Sequence, residues 1–447
     1  MAFVKLIQPG MIKRPIDTDI KIHMAPPLGL LTIAGILKND NKVVLENENI
    51  TRINYDDNPD IVGISVTVDT YPRAVAIAEQ FRKKGIIVVA GGIHISTAFD
   101  YIDENAFDVL CIGAAEGTWP DIIKDYKNNS LKRIYRCEKI LSGEDIVGPA
   151  YDIVNSEEYL YCNVIHTGRG CPFKCDFCYN SGNAQPYVNR NIDDVIREIK
   201  ALNRKHIMII DDNFAGNVPR TKELLIRMKD LHIKWNAAVS INIAYDEELL
   251  DLMKESGCQG LFIGFESINK SSVEDVHKVQ NMVADYDKAI KAIHDRGIMI
   301  NASLVFGLDS DTVDTFKETL DWIVRNKIET VTSHILTPYP GTKLYERMKA
   351  ENRIITEDLS LYNTSNVVFK PKNMTPEELK AGYLWIYKNV YSFKNIRKRR
   401  PEKTDQRAAY YMFNYFYRKF GKFTDFLCKI VSYERIGRWG EKLSKYI

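Results

Sequence analysis

No continuous apolar run in the 447 residues reaches the roughly 18–20 that a membrane-spanning helix needs. The opening MAFVKLIQPG has neither the basic start nor the long apolar core of a secretory signal, and it runs into a Pro-Gly turn. Net charge is also scarce: 61 Lys and Arg against 59 Asp and Glu leave +2, an ordinary balance for a water-facing protein. These absences predict a cytoplasmic chain. Cysteine is sparse. Five of the eight (Cys111, Cys137, Cys162, Cys258 and Cys428) stand singly, which argues against a disulfide framework and reads as buried or neutral thiols. Long internal repeats and low-complexity segments are missing as well.

What is present is ample apolar material, 45% of residues, enough for about two to four packed domains. Residues 1–140 alternate short Val/Ile-rich runs (FVKLI, KVVLEN, DIVGISV, IIVVAGG, DVLCIGA) with helical stretches such as PPLGLLTIAGILKND and YPRAVAIAEQFRKKG. Continuous apolar runs bounded by glycine suit strands buried on both faces, so the pattern predicts a doubly wound parallel α/β sheet. Ligands bind at the strand ends of such sheets, here Ser65–Thr67, Gly91–Gly92 and Gly113–Glu116. Residues 141–160 read as a linker.

A second alternating series fills 161–350. YCNVIHT, HIMIIDD, WNAAVSI, GLFIGFES, MINASLVFGL and VTSHILTPYP are its strands, with helices such as NIDDVIREIKALNRK and MVADYDKAIKAIHDRG between them. Six β/α units are too few for a closed barrel of about 250 residues, so a partial (β/α)6 barrel is predicted, with its chemistry at the C-terminal strand ends. Residues 351–447 form a helical extension opened by TPEELKAGYLWIYKNV. From Lys394 onward there are 15 Lys and Arg against 5 Asp and Glu, interleaved with Phe, Tyr and Trp.

The strongest local signal is GRGCPFKCDFCYN at 168–180, where Cys171, Cys175 and Cys178 fall in one loop after a predicted strand. Thiolates are the preferred ligands of iron–sulfur clusters, and three of them can hold three corners of a cube. The fourth iron then stays open for chemistry. Zinc is the competing reading, but no second Cys/His pair follows, and His166 points to zinc only weakly.

CxxxCxxC on the first strand-to-helix loop of such a barrel resembles the radical S-adenosylmethionine superfamily. The resemblance implies a 4Fe–4S cluster on Cys171, Cys175 and Cys178 whose open iron is chelated by S-adenosylmethionine. Reductive cleavage then gives methionine and a 5′-deoxyadenosyl radical that abstracts hydrogen from substrate. It also implies a flavodoxin- or ferredoxin-type electron donor and a small-molecule or lipid-like substrate. Phe177 would lie beside the adenine. DDNF (211–214), GFES (264–267), SLVFGL (303–308) and TPYPGTKLYE (337–346) resemble the later barrel motifs, which assigns Asp212, Glu266, Ser303 and Pro340 to S-adenosylmethionine. At VSINIA (239–244) Ser240 stands where many relatives carry arginine, leaving the carboxylate partner open.

PPLGLLTIAGIL, VGISVT, VVAGGIHIS and IGAAEGT resemble the cobalamin-binding-type domain fused to one large radical branch, which contains the anaerobic magnesium-protoporphyrin cyclase and many methyltransferases. Ser65, Thr67, Gly91, Gly92 and Glu116 would line a cobalamin pocket if cobalamin is bound. The Asp-x-His-x-x-Gly lower-ligand motif is absent, and His94 in GGIHIS reads as a loop residue rather than a cobalt ligand. The link from KVVLEN to DIVGISV, ENITRINYDDNP, is near the minimum for a parallel crossover, whereas relatives have room there for a helix. The methylthiotransferase branch, with extra N-terminal cluster cysteines, is not matched.

The sequence therefore predicts a radical enzyme acting on an unactivated carbon, by cobalamin-dependent methyl transfer. Cobalamin-independent cyclisation, rearrangement or group transfer is the alternative. An iron–sulfur regulator or scaffold is the non-enzyme reading. The tail is read as a helical lid on the barrel, with a peripheral contact to anionic lipid as the second role and nucleic acid the least favoured.

Overall fold

Val/Ile-rich runs too short for helices form the strands of two six-stranded parallel sheets, and the amphipathic segments between them cover both sheets. The computed structural model describes residues 1–182, 187–282 and 285–443. The last four residues of the basic tail, and Val283 and Ala284 in the helix read from Met282, lie outside the described residues. Among the described residues no helix is long and apolar enough to cross a membrane.

The first sheet holds β1 (Phe3–Gln8), β2 (Lys42–Asn47), β3 (Ile61–Ser65), β4 (Ile87–Gly91), β5 (Val109–Ile112) and β6 (Ile134–Arg136) in the order β2-β1-β3-β4-β5-β6. β6 was not expected. It has three residues and pairs only with β5, so its sequence carries too little apolar pattern to be read. The link between β2 and β3 contains no helix. In its place Lys5, fully buried on β1, reaches across to Glu46 and Asp57, each at 2.8 Å, and to the Asn54 carbonyl at 2.6 Å. His94 is not in a loop, as expected, but in a helical turn, Ile93–Thr97, with no exposed surface.

The second sheet holds β7 (Val164–Ile165), then, after a small antiparallel pair β8 (Gly168–Arg169) and β9 (Val188–Asn189), β10 (His206–Ile209), β11 (Lys234–Val239), β12 (Cys258–Glu266), β13 (Met299–Phe306) and β14 (Thr330–Ile335). Its order is β14-β13-β12-β11-β10-β7. β7 keeps two residues of the seven in YCNVIHT. Helices Ile192–Leu202, Val218–Lys229, Glu247–Glu255, Tyr286–Asp295, Asp314–Arg325 and Lys343–Ala350 follow the six strands in turn, which makes the partial (β/α)6 barrel. Leu261, Ile263 and Phe265 are buried against the helices, so Phe262, 37% exposed, faces the lumen by strand alternation. Ile207 and Ile209 likewise turn outward on β10, and Ile210 just past its end is 39% exposed.

An open barrel has two free edges, β7 and β14. The extension covers β14: the Tyr387 hydroxyl accepts from Ser333 N at 3.0 Å and donates to its carbonyl at 3.2 Å. Tyr391 does the same at Val331, at 3.0 and 2.6 Å. These two tyrosines, one turn apart on the helix Pro376–Val390 and its cap, satisfy an edge that would otherwise present unpaired backbone groups.

Candidate functional site

Local backbone chemistry builds the cysteine loop. Asp211, buried at the end of β10, accepts from Thr167 N at 2.7 Å and from its hydroxyl at 2.5 Å. Asp212 accepts from Gly170 N at 3.0 Å, and Gly170 sits at φ 77°, where a side chain would strain the turn. Asn213, 3% exposed, donates to the Cys171 sulfur at 3.8 Å and to the Ser240 hydroxyl at 3.2 Å. Phe214 is buried against Trp235. The DDNF motif thus tethers the loop, and its acidic pair serves the loop's backbone.

Cys175 is buried, and its sulfur accepts from the Gln280 amide at 3.6 Å. Burial pushes the Cys178 thiol up to about 11 and raises that of Cys175. The segment 276–281 packs on the loop: Asp176 N donates to the Val276 carbonyl at 3.2 Å, and His277 Nδ1 lies 2.7 Å from the Asp176 carboxylate. Lys278 pairs with Glu266 and donates to the Gly264 carbonyl at 2.9 Å. Asn281 donates to the Gly264 and Phe265 carbonyls, each at 3.0 Å. Glu266 is 7% exposed and holds φ 61°, uncommon for a residue with a side chain.

Asn213, Lys278, Gln280 and Asn281 were not singled out from sequence. Asn213 lies inside a recognised motif, whereas the other three carry no local signal. Of the residues that were, Phe177 packs at the margin of the barrel core, Ser303 is buried beside Gly264 on the adjoining strand, and Pro340 is buried in the loop after β14.

The strand ends of the first sheet face this loop. Glu116 pairs with Arg169, immediately before Gly170, at 2.7 and 2.9 Å, which commits its carboxylate to the tie between the sheets. Tyr101 donates to Glu346. Gly341, at φ 85°, passes so close to the Thr97 carbonyl that an added Cβ would collide with it. Val68 packs with Tyr345, Tyr362, Tyr179 and Tyr339, the last two stacked at 4.3 Å. Ser65, Thr67, Gly91 and Gly92 lie along this edge; the Thr67 hydroxyl donates to the Asp69 carboxylate at 2.7 Å. Neither ring nitrogen of His94 has a hydrogen-bond partner, and burial pushes the imidazole down to about 4.

Comparison with known proteins matches this arrangement. A model described as the radical SAM superfamily matches residues 165–323, one described as a B12 binding domain matches 23–123, and a domain of unknown function matches 342–420. Bacteriochlorophyllide d C-12(1)-methyltransferase of Chlorobaculum tepidum is 28% identical over 355 residues, 77% of either chain. Bacteriochlorophyllide d C-8(2)-methyltransferase of the same organism is 29% identical over 394 residues, 84% of this chain and 86% of that one. The cobalamin-dependent S-adenosylmethionine radical enzyme OxsB shares the fold, with a TM-score of 0.68 at 17% identity over 95% of this chain and 72% of that one.

A radical SAM domain works with a 4Fe–4S cluster and S-adenosylmethionine. The donor set suits the cluster: three thiols in one loop, two of them already receiving amide N–H groups that favour the thiolate form. The chain combines a radical SAM domain with a B12-binding domain ahead of it and is an enzyme of that class, with bacteriochlorophyllide methyltransferases among its relatives.

Proposed function

We propose that this chain cleaves S-adenosylmethionine reductively, with an electron from a small flavodoxin- or ferredoxin-type donor, and methylates an unactivated carbon with the help of cobalamin. Cys171, Cys175 and Cys178 would hold the cluster, which supplies the electron for that cleavage. One observation carries the reading: the cysteine loop, with amide donors on two of its sulfurs, opens at barrel strand ends that face the strand ends of the B12-type sheet. Within this reading Asp211, Asp212 and Arg169 fix the loop, and Lys278 orients Glu266 beside the S-adenosylmethionine site together with Phe177, Ser240, Ser303 and Pro340. The edge formed by Ser65, Thr67, Gly91 and Gly92 is made of small side chains, which suits a large ligand held by backbone and hydroxyl groups.

Anaerobic reconstitution with iron, sulfide and hydroxocobalamin, desalting, and reaction with dithionite and S-adenosylmethionine tests it. Cluster absorption, cobalamin retained at about one per chain and 5′-deoxyadenosine are the expected results. A cluster without cobalamin moves the reading to a cobalamin-independent radical reaction, and the absence of both cluster and 5′-deoxyadenosine overturns it.

The same proposal includes a peripheral contact with anionic lipid. On the helix Gly421–Val431, Phe423, Phe426 and Ile430 are 57%, 59% and 66% exposed, one face flanked by exposed Lys422 and Lys429. The acidic residue of that helix, Asp425, is turned inward onto the Asp19 and Ile20 N–H groups at 2.8 and 2.6 Å. An apolar row with cations beside it matches an anionic headgroup layer. Flotation with vesicles containing phosphatidylglycerol should recover the protein at low salt. The Phe423→Ser/Phe426→Ser/Ile430→Ser variant should stay below the vesicles, and equal recovery of both proteins, or recovery on neutral vesicles alone, rejects the contact.

A further inference from the structure

The gap between the free edges of the barrel is spanned by two segments far apart in sequence. Residues 14–24 run from the β14 side, where Arg14 donates to Thr364 at 3.3 Å, to the β7 side, where Leu160 N and Tyr161 N donate to the His23 and Met24 carbonyls at 2.8 and 3.0 Å. The extension follows the same path. Tyr387 and Tyr391 sit on β14, Tyr433 stacks on His23 at 3.7 Å, and Glu434 faces Arg204 at 3.5 Å. Where the two segments meet the lumen, cations gather.

Arg14 pairs with Asp17 through two nitrogens, at 2.8 and 3.0 Å, and Lys21 joins the same carboxylate at 2.7 Å. Arg418 has no such partner. Its guanidinium lies 4.7 Å from the Tyr417 ring, 5.6 Å from Phe413, 5.7 Å from Tyr391 and 5.8 Å from Tyr387. Its Nε is enclosed without a hydrogen-bond acceptor, and it forms no ion pair among the described residues. The Tyr383 side chain is fully buried, and its hydroxyl is also without a partner. Arg418 lies in the last turn of an eight-residue π-helix, Met412–Lys419, a rare backbone that concentrates at functional sites. All three cations act on His334, whose backbone alternation turns it into the lumen. Burial pushes its imidazole down to about 3, and Arg14, Lys21 and Arg418 push the same way.

Three cations gather here, two of them sharing the Asp17 carboxylate, and Arg418, half-buried with its Nε enclosed and unpartnered, is a group that awaits an acceptor. The lumen also offers apolar surface at Ile210 and Phe262. We infer that Arg418, assisted by Tyr383 and the Arg14–Asp17–Lys21 group, receives a carboxylate or phosphate at one end of an otherwise apolar substrate lying in the barrel. The radical reading enters only in calling the occupant a substrate; the site itself requires neither cluster nor turnover.

A matched pair of dyes tests the site on the full chain. 8-Anilinonaphthalene-1-sulfonate carries an anion on an aromatic frame, and N-phenyl-1-naphthylamine is the same frame without it. The exposed face of Gly421–Val431 also attracts such dyes, so every protein in the test carries Phe423→Ser, Phe426→Ser and Ile430→Ser. The anionic dye should bind about 10-fold more tightly than the neutral one, since a charge-assisted hydrogen bond contributes about 1.5–3 kcal/mol. Arg418→Met should remove that preference while leaving the neutral dye unchanged, and Arg418→Lys should restore part of it. Tyr383→Phe, which keeps the packing, should weaken the anionic dye alone. Equal affinity for the two dyes, or an Arg418→Met protein that loses both alike, overturns the site. Displacement of the anionic dye by S-adenosylmethionine would instead assign the anion to that molecule's carboxylate and overturn the substrate assignment. Because the readout is binding to unreconstituted protein, a failed reconstitution leaves this result standing, and the reverse holds too.

Discussion

Cys175→Ala is expected to abolish the visible cluster absorption after anaerobic reconstitution and to reduce 5′-deoxyadenosine to the level without enzyme. Cys175 is the most enclosed of the three cysteines, 7% exposed, and its backbone carbonyl also receives Cys178 N at 3.1 Å, so the residue organises the loop as well as offering a sulfur. Two sulfurs cannot replace three, because an iron–sulfur cube is held by protein thiolates and each missing one opens another iron to solvent. The informative comparison is Gln280→Ala and Asn213→Ala. Their amides lie 3.6 and 3.8 Å from the Cys175 and Cys171 sulfurs. Hydrogen bonds to cluster sulfurs tune the potential, and losses at such outer partners run at about 10–100-fold. These two variants should therefore keep cluster absorption but lose rate, with a more negative reduction potential by anaerobic titration. Retained 5′-deoxyadenosine formation in Cys175→Ala would falsify the cluster assignment. The pH dependence of loading has a definite sign. Burial raises the Cys175 and Cys178 thiols, the ligands must be thiolates, and loading releases protons, so it should weaken as the pH falls.

How much of this was legible depends on the range of the signal. CxxxCxxC is local: three thiols within eight residues need no fold to be noticed, and the strand-terminal motifs DDNF and GFES gained weight from their order along the chain. The partial barrel was legible for the same reason, since β10 to β14 are runs of four to nine residues whose apolar content is set by burial against helices. Elements without such content were missed or overdrawn. β6 is three residues, Ile134–Arg136, the last of them charged, and β7 keeps two residues because the barrel is open beside it. His94 was misread because a five-residue helical turn has too little period to register. The partners of the site were illegible in principle. Gln280 reaches Cys175 across 105 positions, and Glu116 reaches Arg169 across 53. A polar residue has no periodicity to betray such a contact. Glu116 shows the consequence: at a strand end it reads as a ligand residue, and only the second sheet reveals that its carboxylate is taken.

The Glu266–Lys278 pair should show the largest stability effect in the molecule. Both side chains are under 10% exposed, at 9% and 8%, and they contact each other directly. Removing one partner of a buried pair strands the other charge, at a cost of about 3–5 kcal/mol. Lys278→Met should therefore lower the unfolding free energy, read from a urea titration, by that amount, and the loss should exceed that of Glu266→Gln, which keeps an acceptor for the ammonium. Glu266 also carries backbone strain at φ 61°, of order 1–3 kcal/mol for a side-chain-bearing residue in that region. Stability does not explain a strained, buried carboxylate, because uncharged residues of similar volume fill such sites at equal or lower cost. The double variant Lys278→Met/Glu266→Gln separates the two roles. It removes both charges, so the cycle of four proteins should show strong coupling and recover most of the lost stability. If Glu266 is kept for S-adenosylmethionine, the recovered protein should still bind that ligand at least about 10-fold more weakly by equilibrium dialysis, as loss of a charged hydrogen bond implies. A double variant with wild-type affinity would reduce the pair to scaffold and move the ligand contact to the backbone of Gly264 and Phe265, which Lys278 and Asn281 hold in place.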